Sequence, residues 1–224
     1  MVDDDMKSES DAQLIFSEIF KNNSWGSKES VSGPGSELRH TRHLINEIPY
    51  LFKELEIKSL LDIPCGDFNW MQHVDLGQIE YIGADIVPEL IEKNKIRFEK
   101  KFRKFEHLDI MTSSLPRVDA VLCRDIFVHF PNDSIMTSID NICKSGSKYL
   151  ITTNFTFRAL PANQDIKMGE GRRVNFELAP FNWPPPRRWI IEGCDEGRGE
   201  FSDKSLSVWC VNEIAALLSA ARKP

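Results

Sequence analysis

Residues 59–70 read SLLDIPCGDFNW, a short apolar run that ends in an aspartate and a Pro-Cys-Gly turn. Four further short apolar runs follow along the chain: YIGADI at 81–86, FEHLDI at 105–110, DAVLCRDI at 119–126 and KYLITTNF at 148–155. Apolar runs of this length predict strands. Helical patterns separate them at 88–102 and 132–144, with Asn132 expected as the N-cap of the second helix and Gly146 near its end. Strands that alternate with helices predict an α/β fold with a mostly parallel sheet.

The flanking segments differ in character from this core. Apolar residues recur at helical spacing over 11–20 and 38–55, where Pro49 is expected to break the second helix, and a Gly/Ser-rich loop joins the two. We therefore predict an N-terminal helical cap and lid at 1–57, and a ligand-binding domain at 58–224 with an active-site insertion at 154–187. A closing hairpin is expected from 189–191 and 206–211, followed by a last helix at 213–221.

The composition restricts the class of protein. The 224 residues carry a formal charge of −6, so the composition does not predict a general nucleic-acid-binding surface. The five cysteines form no C-x-x-C pair, which fits a reducing cytoplasm. An acidic N-terminus is unlike a signal peptide, and no apolar run approaches the roughly 20 residues that cross a bilayer. We predict a cytoplasmic protein without a membrane partner.

Acidic residues stand at three successive predicted strand ends. Asp62 precedes Gly66, Asp85 lies 19 residues beyond that glycine, and Asp109 ends the third run. Because carboxyl ends of parallel strands meet at one edge of a sheet, these groups should share a crevice. A glycine permits close backbone approach, and a carboxylate such as that of Asp85 can accept from two ribose hydroxyls. The residues thus predict a nucleoside site.

The turn after the first strand lacks the G-x-G-x-x-G pattern that brings a pyrophosphate to a helix N-terminus. Dinucleotides and ATP are therefore disfavoured. Phe68 stands where a second glycine of such a loop is common, and we expect its ring to lie near the ligand.

Taken in order, LLDIPCGDFNWM, YIGADIVPELI, HLDI and DAVLCRDIFVHF resemble the successive motifs of the class I S-adenosylmethionine-dependent methyltransferases. The DIPCGDFNW motif and the SVSGPGS loop are also similar to those of a group of bacterial methyltransferases. The resemblance implies a Rossmann-like methyltransferase fold, with a mostly parallel seven-stranded sheet flanked by helices. It also implies S-adenosylmethionine as cofactor and S-adenosylhomocysteine as product. The cofactor residues that it suggests are Asp62, Pro64, Cys65, Gly66, Asp85, Ile86, Asp109, Ile110 and Arg124.

Groups that follow strands four and five are the candidates for chemistry. Asp125 and His129 are predicted catalytic residues, either of which could serve as the base that removes an acceptor proton. Arginine pairs that turn inward would favour an anionic substrate. The predicted substrate-binding residues are Trp25, Arg39, Asn154, Arg172 and Arg173. No metal is predicted, because His40 and His43 have no further Cys/His cluster beside them.

The predicted function is methyl transfer to a small-molecule acceptor, most simply a hydroxyl of a sugar or phosphorylated metabolite (EC 2.1.1 type). Two alternatives stay open: N-methylation of a small amine or protein side chain, and a noncatalytic module that only binds S-adenosylmethionine. The sequence also leaves a homodimer open.

Overall fold

The structure is a computed structural model that describes residues 10–156, 162–195 and 199–221. These residues contain five α-helices, seven strands and three short 3₁₀ helices. The helices are α1 (Asp11–Lys21), α2 (Leu38–Glu54), α3 (Pro88–Phe98), α4 (Asn132–Ser145) and α5 (Val211–Ala221). The strands are β1 (Ser59–Asp62), β2 (Glu80–Asp85), β3 (Arg103–His107), β4 (Ala120–Cys123), β5 (Tyr149–Phe155), β6 (Arg188–Ile191) and β7 (Lys204–Cys210).

One seven-stranded sheet has the order β3-β2-β1-β4-β5-β7-β6. Strands β1 to β5 are parallel, whereas β7 is antiparallel to both β5 and β6. The predicted parallel α/β sheet and the predicted hairpin of the last two strands are confirmed. Because the chain reverses its strand order at β1 and β4, a crevice opens beyond their carboxyl ends.

Both faces of the sheet are buried. Neighbouring residues of one strand, such as Leu60 and Leu61, belong to different apolar clusters. One cluster contains residues of α1, α4 and α5, and the other contains the apolar face of α2. Burial on two sides explains why the strands read as continuous apolar runs in the sequence. Among the described residues, no helix combines the length and apolar character needed to cross a membrane.

The predicted break at Pro49 is wrong, because α2 runs through it as a single helix. Leu44, Ile48 and Phe52 along this helix are buried against the sheet. Burial of that apolar face offsets the backbone hydrogen bond that a proline inside a helix removes.

Asn132 is the first residue of α4 rather than its N-cap, which is Pro131. The backbone amide of Asn132 instead donates to the carboxylate of Asp165, at 2.8 Å. A side chain from the 154–187 segment therefore serves as a distant cap. The predicted C-terminal glycine is confirmed, since Gly146 takes the left-handed conformation that ends the helix.

Candidate functional site

A cavity of about 790 Å³ lies at the carboxyl ends of β1, β2 and β4. Its walls include parts of α1, the 31–36 loop and the described part of the 154–187 segment. A volume of this size is typical of small-molecule and cofactor sites. Predicted residues that line the cavity are Trp25, Asp62, Pro64, Cys65, Gly66, Asp85, Ile86, Arg124, Asp125, His129, Arg172 and Arg173.

The carboxylate of Asp85 is buried at the end of β2. It accepts the backbone amides of Gly66 at 3.1 Å and Val87 at 3.0 Å. Burial raises the pKa of Asp85 to about 6, although the backbone amides partly oppose the increase. Because each carboxylate oxygen has two lone pairs, both oxygens can still accept a ligand hydroxyl.

Asp62 ends β1 and lies close to Asp85. Its Oδ2 accepts the hydroxyl of Tyr81 at 2.6 Å. Burial raises the pKa of Asp62 to about 7, the Tyr81 hydrogen bond opposes that increase, and the Asp85 charge adds to it. Two buried acids at adjacent strand ends therefore favour a ligand with donor groups or a positive charge at this end of the cavity.

The expected position of the Phe68 ring beside the ligand is wrong. Phe68 takes a backbone φ of 59°, and its side chain is only 1% exposed. The ring packs edge-on against Tyr81 and Phe105, at centroid distances of 5.3 Å each. The left-handed turn directs the aromatic side chain into the core and away from the cavity.

Gly66 has a structural role that the sequence did not indicate. It has a φ of 55°, and a Cβ built on it would lie 2.2 Å from Oγ of Ser32. That hydroxyl accepts the amide of Asp67 at 3.0 Å and donates to Oδ1 of Asp67 at 3.2 Å. The absence of a side chain thus lets the Gly/Ser-rich loop approach the turn after β1.

Asp67 is a residue that sequence reasoning missed. Its carboxylate also accepts the hydroxyl of Ser30 at 2.9 Å and the amide of Val31 at 3.0 Å. The Gly/Ser-rich loop is therefore attached to the cofactor turn by several polar contacts, although it has few apolar anchors. The sequence features that could have indicated this contact are the two serines, Ser30 and Ser32, and the acidic residue in the tight turn after β1.

Four charged side chains form a cluster at the end of β4, of which three are buried and the fourth, Asp125, is 25% exposed. Arg124 pairs with Glu192 at 2.7 Å and with Asp125 at 3.2 Å, and it donates to the carbonyl of Gly35 at 2.9 Å. Lys204 pairs with Asp125 at 2.7 Å. The cluster connects the Gly/Ser-rich loop to β4 and to both ends of the 192–204 segment. Neither Glu192 nor Lys204 was predicted from sequence.

Asp125 is held rigidly within this cluster. Its backbone has a φ of 57°, and Thr153 donates to its Oδ1 at 3.0 Å. Burial alone would raise the pKa of Asp125, but the charges of Arg124 and Lys204 outweigh it and hold the pKa well below the usual range. A carboxylate of this kind is a weak base.

His129 stands nearby with a different environment. Its Nδ1 lies 2.9 Å from the carbonyl of Glu170, and its ring lies against Trp25 at a centroid distance of 5.3 Å. Because a carbonyl can only accept, Nδ1 carries the proton and Nε2 of the neutral ring is an acceptor. Burial lowers the pKa of His129, although the Glu170 carbonyl opposes this, so the neutral form is favoured.

Arg172 and Arg173 line the cavity but differ in their contacts. Arg172 donates to the carbonyls of Phe130, at 2.9 Å, and Gln164, and so fixes the 162–173 loop onto the start of α4. Arg173 has a weaker contact, 3.3 Å to the carbonyl of Glu200. Among the described residues, neither guanidinium has a carboxylate within ion-pair distance.

Four predicted site residues do not line the cavity. Asp109 accepts the hydroxyl of Ser10 at 3.3 Å and the amide of Met111 at 2.8 Å, and Ile110 is buried in the core. The start of α1 thus covers the end of β3. Neither residue lines the cavity, and a cofactor contact of Asp109 or Ile110 stays a prediction.

Arg39 and Asn154 are the other two. Arg39 is exposed on α2 and pairs with Glu37 at 2.7 Å. Asn154 is fully buried, where its Oδ1 accepts the amide of Phe176 at 2.9 Å. Its neighbour Phe155, which faces the other way on β5, lines the cavity instead. Neither side chain is placed to contact a substrate.

No protein-family model matches the chain, and no curated protein matches it. Solved structures share its fold. The crystal structure of human N-acetylserotonin methyltransferase in complex with SAM has a TM-score of 0.60 at 11% identity, over 89% of this chain and 59% of that chain. This chain therefore spans about three-fifths of the length of the human protein.

Two further structures are similar. The methyltransferase domain of bacterial CtHen1-C has a TM-score of 0.56 at 15% identity, covering 78% of this chain and 98% of that chain. The N-methyltransferase NodS from Bradyrhizobium japonicum WM9 also has a TM-score of 0.56, at 14% identity, covering 77% and 96%. The chain has the Rossmann-like methyltransferase fold, as its sequence predicted.

Proposed function

We propose that the chain is an S-adenosylmethionine-dependent methyltransferase that acts on a hydroxyl of a small-molecule acceptor. The observation that carries this proposal is the composition of the cavity. Two buried carboxylates, Asp62 and Asp85, lie at the ends of β1 and β2, while a neutral histidine, His129, lies beyond β4. One cavity thus contains a nucleoside-binding end and a proton-accepting end.

The residues present fit the cofactor. Asp85 would accept the ribose hydroxyls, and Asp62 would pair with the methionine ammonium, whose charge compensates a carboxylate that burial otherwise disfavours. The backbone of Pro64, Cys65 and Gly66 borders the same end of the cavity, as does Ile86. When bound, S-adenosylmethionine supplies an electrophilic methyl group on a sulfonium sulfur.

His129 is the residue that we assign as general base. The carbonyl of Glu170 fixes the ring so that Nε2 is its basic nitrogen, and the lowered pKa keeps the ring neutral at pH 7. A neutral imidazole can take the proton of an acceptor hydroxyl as oxygen becomes the nucleophile. Trp25 packs on this ring and so restricts its orientation.

Asp125 has another role in this proposal. Its lowered pKa makes proton transfer to it unfavourable, so we replace its predicted role as base by one of positioning. The carboxylate holds Lys204 and Arg124 at the cavity wall. The Arg124 guanidinium donates to the carbonyl of Gly35, so Arg124 would affect cofactor binding through the 31–36 loop.

The arginines of the 162–173 loop indicate the charge of the acceptor. Arg172 is engaged with backbone carbonyls, whereas Arg173 makes one weak contact at 3.3 Å and lines the cavity. A guanidinium such as that of Arg173, with no carboxylate at ion-pair distance among the described residues, favours an anionic ligand. This supports a phosphorylated metabolite or an acidic sugar as the acceptor class.

The test is methyl transfer from labelled S-adenosylmethionine to a panel of sugars and metabolites, each with and without phosphate. We expect transfer to phosphorylated hydroxyl compounds and its loss in His129→Gln, while the control His43→Gln, an exposed histidine on α2, behaves like the wild type. Transfer to amines that does not depend on His129 would instead support N-methylation. Binding of S-adenosylhomocysteine without any transfer would support the noncatalytic module.

A further inference from the structure

Residues 93–104 have a charge opposite to that of the rest of the chain. They contain seven lysines and arginines and one glutamate, a formal charge of +6 within a chain of −6. The cavity does not use these side chains, because none of the twelve residues lines it. Their exposed charges are therefore available for an interaction outside the candidate active site.

The second half of α3 presents an exposed face that mixes charge and apolar surface. Ile96 and Arg97 are exposed near the end of the helix, and Lys100 is exposed just after the helix ends at Phe98. Lys93 is excluded from this face, because its ammonium lies 4.8 Å from the ring centroid of Phe20 on α1. Ile96 is 85% exposed, the largest value among the exposed large apolar residues. Glu92, at the N-terminal border of this face, is paired with Lys95 at 2.8 Å.

The turn after α3 continues this surface. Lys101, Phe102 and Lys104 are exposed there. The Lys101 ammonium lies over the ring of Phe102, 4.9 Å from its centroid. Strand β3, which contains Lys104, is one of the two edge strands of the sheet. We call six exposed residues the α3 basic surface: Ile96, Arg97, Lys100, Lys101, Phe102 and Lys104. One exposed acid, Glu99, lies among them, so the surface keeps a net positive charge.

The position of this surface separates it from substrate binding. Because β2 and β3 are parallel, α3 returns from the carboxyl edge of the sheet to the opposite edge. An 11-residue helix covers about 16 Å at 1.5 Å per residue. The turn at its end therefore lies far from the cavity, so a nucleic acid held there as substrate would not be guided to His129.

Contrary to the sequence-based prediction of no membrane partner, we propose that the α3 basic surface binds an anionic lipid membrane from the side, without crossing it. Lysine and arginine side chains attract acidic headgroups, and an apolar side chain among them can enter the interfacial region. Ile96 and Phe102 supply that apolar component. Nucleic acid would use the charges but would leave the isoleucine exposed, so the combination favours the membrane.

The experiment is co-sedimentation of the full chain with vesicles of phosphatidylglycerol and phosphatidylcholine, compared with phosphatidylcholine alone. We expect binding to the anionic vesicles only, decreasing as salt is raised. Lys100→Gln with Lys101→Gln should weaken the partition coefficient about 30-fold, from the usual contribution of one basic residue near such a surface. Ile96→Ser should weaken it at unchanged charge.

The matched control is Lys53→Gln with Lys144→Gln, which removes two exposed lysines from α2 and α4. It should bind anionic vesicles like the wild type. The proposal is overturned by equal losses in both double variants, or by no binding to anionic vesicles at low salt. Binding to a short nucleic-acid duplex through Lys100 and Lys101, with none to vesicles, would overturn it in favour of a nucleic-acid surface.

Discussion

Replacing Asp85 by asparagine should weaken ligand binding at pH 8 while leaving stability at that pH almost unchanged. The side chain is 6% exposed and accepts two backbone amides, from Gly66 and Val87. Asparagine retains one oxygen acceptor but carries no charge. The variant therefore removes a buried charge, one amide partner and the proposed acceptor for the ribose.

The stability effect follows from the raised pKa. Burial moves the pKa of Asp85 from 3.8 to about 6, so the buried charge costs on the order of 3 kcal/mol above pH 6. Below pH 3.8 the group is protonated in both folded and unfolded chains, and that cost is absent. Loss of one amide partner costs the variant about 1–3 kcal/mol at any pH. At pH 8 we expect Asp85→Asn to be about as stable as the wild type.

The pH dependence of the free energy of unfolding is a more specific test than the stability at one pH. Between pH 8 and pH 5 the wild type regains part of the cost of its buried charge, whereas the variant has none to regain. Urea unfolding should therefore show the variant losing about 1–2 kcal/mol relative to the wild type over this range. Calorimetry at pH 8 should show S-adenosylhomocysteine binding weakened by about 1–3 kcal/mol, the value of a charged hydrogen-bond acceptor.

Asp119→Asn is the matched control. Asp119 lies outside the cavity, and its pKa is lowered, because the amides of Lys58 and Ser59 and the Ser59 hydroxyl outweigh the effect of burial. Its contribution to stability is lost only as pH falls below about 3.8, so its effect should be constant between pH 8 and pH 5. Wild-type affinity in Asp85→Asn would refute the ribose contact. A pH-independent stability difference would refute the raised pKa.

Four further predictions follow from the site. Affinity for S-adenosylhomocysteine should rise at least about tenfold from pH 6 to pH 8, because Asp62 has a pKa of about 7 and its ionised form pairs with the ammonium; in calorimetry Asp62→Asn should leave only the roughly twofold change expected from Asp85, whose pKa is about 6. His129→Gln should lower methyl transfer at saturating substrate 10²- to 10⁴-fold, on the order expected for a general base, without altering cofactor affinity. Lys204→Met should lower the free energy of unfolding by about 1–3 kcal/mol in urea, because Asp125 loses one charged hydrogen-bond partner but keeps Arg124. Asp67→Ala should speed hydrogen exchange of amides 30–32, and unchanged exchange there would contradict its role in holding the loop.

Much of the fold could be predicted because the parallel strands are buried on both faces. Leu60 and Leu61 pack into different clusters, so an apolar run without alternation marked β1 correctly. The clustering of Asp62 and Asp85 followed from the same topology, since both end neighbouring parallel strands. Local residue types and strand order were sufficient for these features.

The direction of individual side chains was not accessible in this way. Asn154 and Phe155 are adjacent at the end of β5, yet only the phenylalanine lines the cavity, because successive side chains point to opposite faces. Phe68 points into the core because its backbone has a positive φ, which cannot be predicted from a phenylalanine in the sequence. The pairing of Arg124 with Glu192, 68 residues apart, has no local signal at all.

Composition alone did not predict the polar contacts that hold two loop segments in place. The sequence of residues 23–36 and 156–173 predicts segments that are mobile without ligand, because they offer few apolar anchors. Polar contacts to Asp67 and from Arg172 hold parts of both segments, while residues 157–161 lie outside the described part of the chain. Closure of the two segments over a bound ligand stays a prediction, as does the division into a cap at 1–57 and a domain at 58–224.

The most direct test of the central claim is a crystal structure of the chain with S-adenosylhomocysteine. We predict that the ligand occupies the cavity with its ribose hydroxyls on Asp85, its ammonium at Asp62 and its sulfur on the side that faces His129. A ligand bound elsewhere, or in the cavity with its ribose away from Asp85, would contradict the proposed site and the chemistry derived from it.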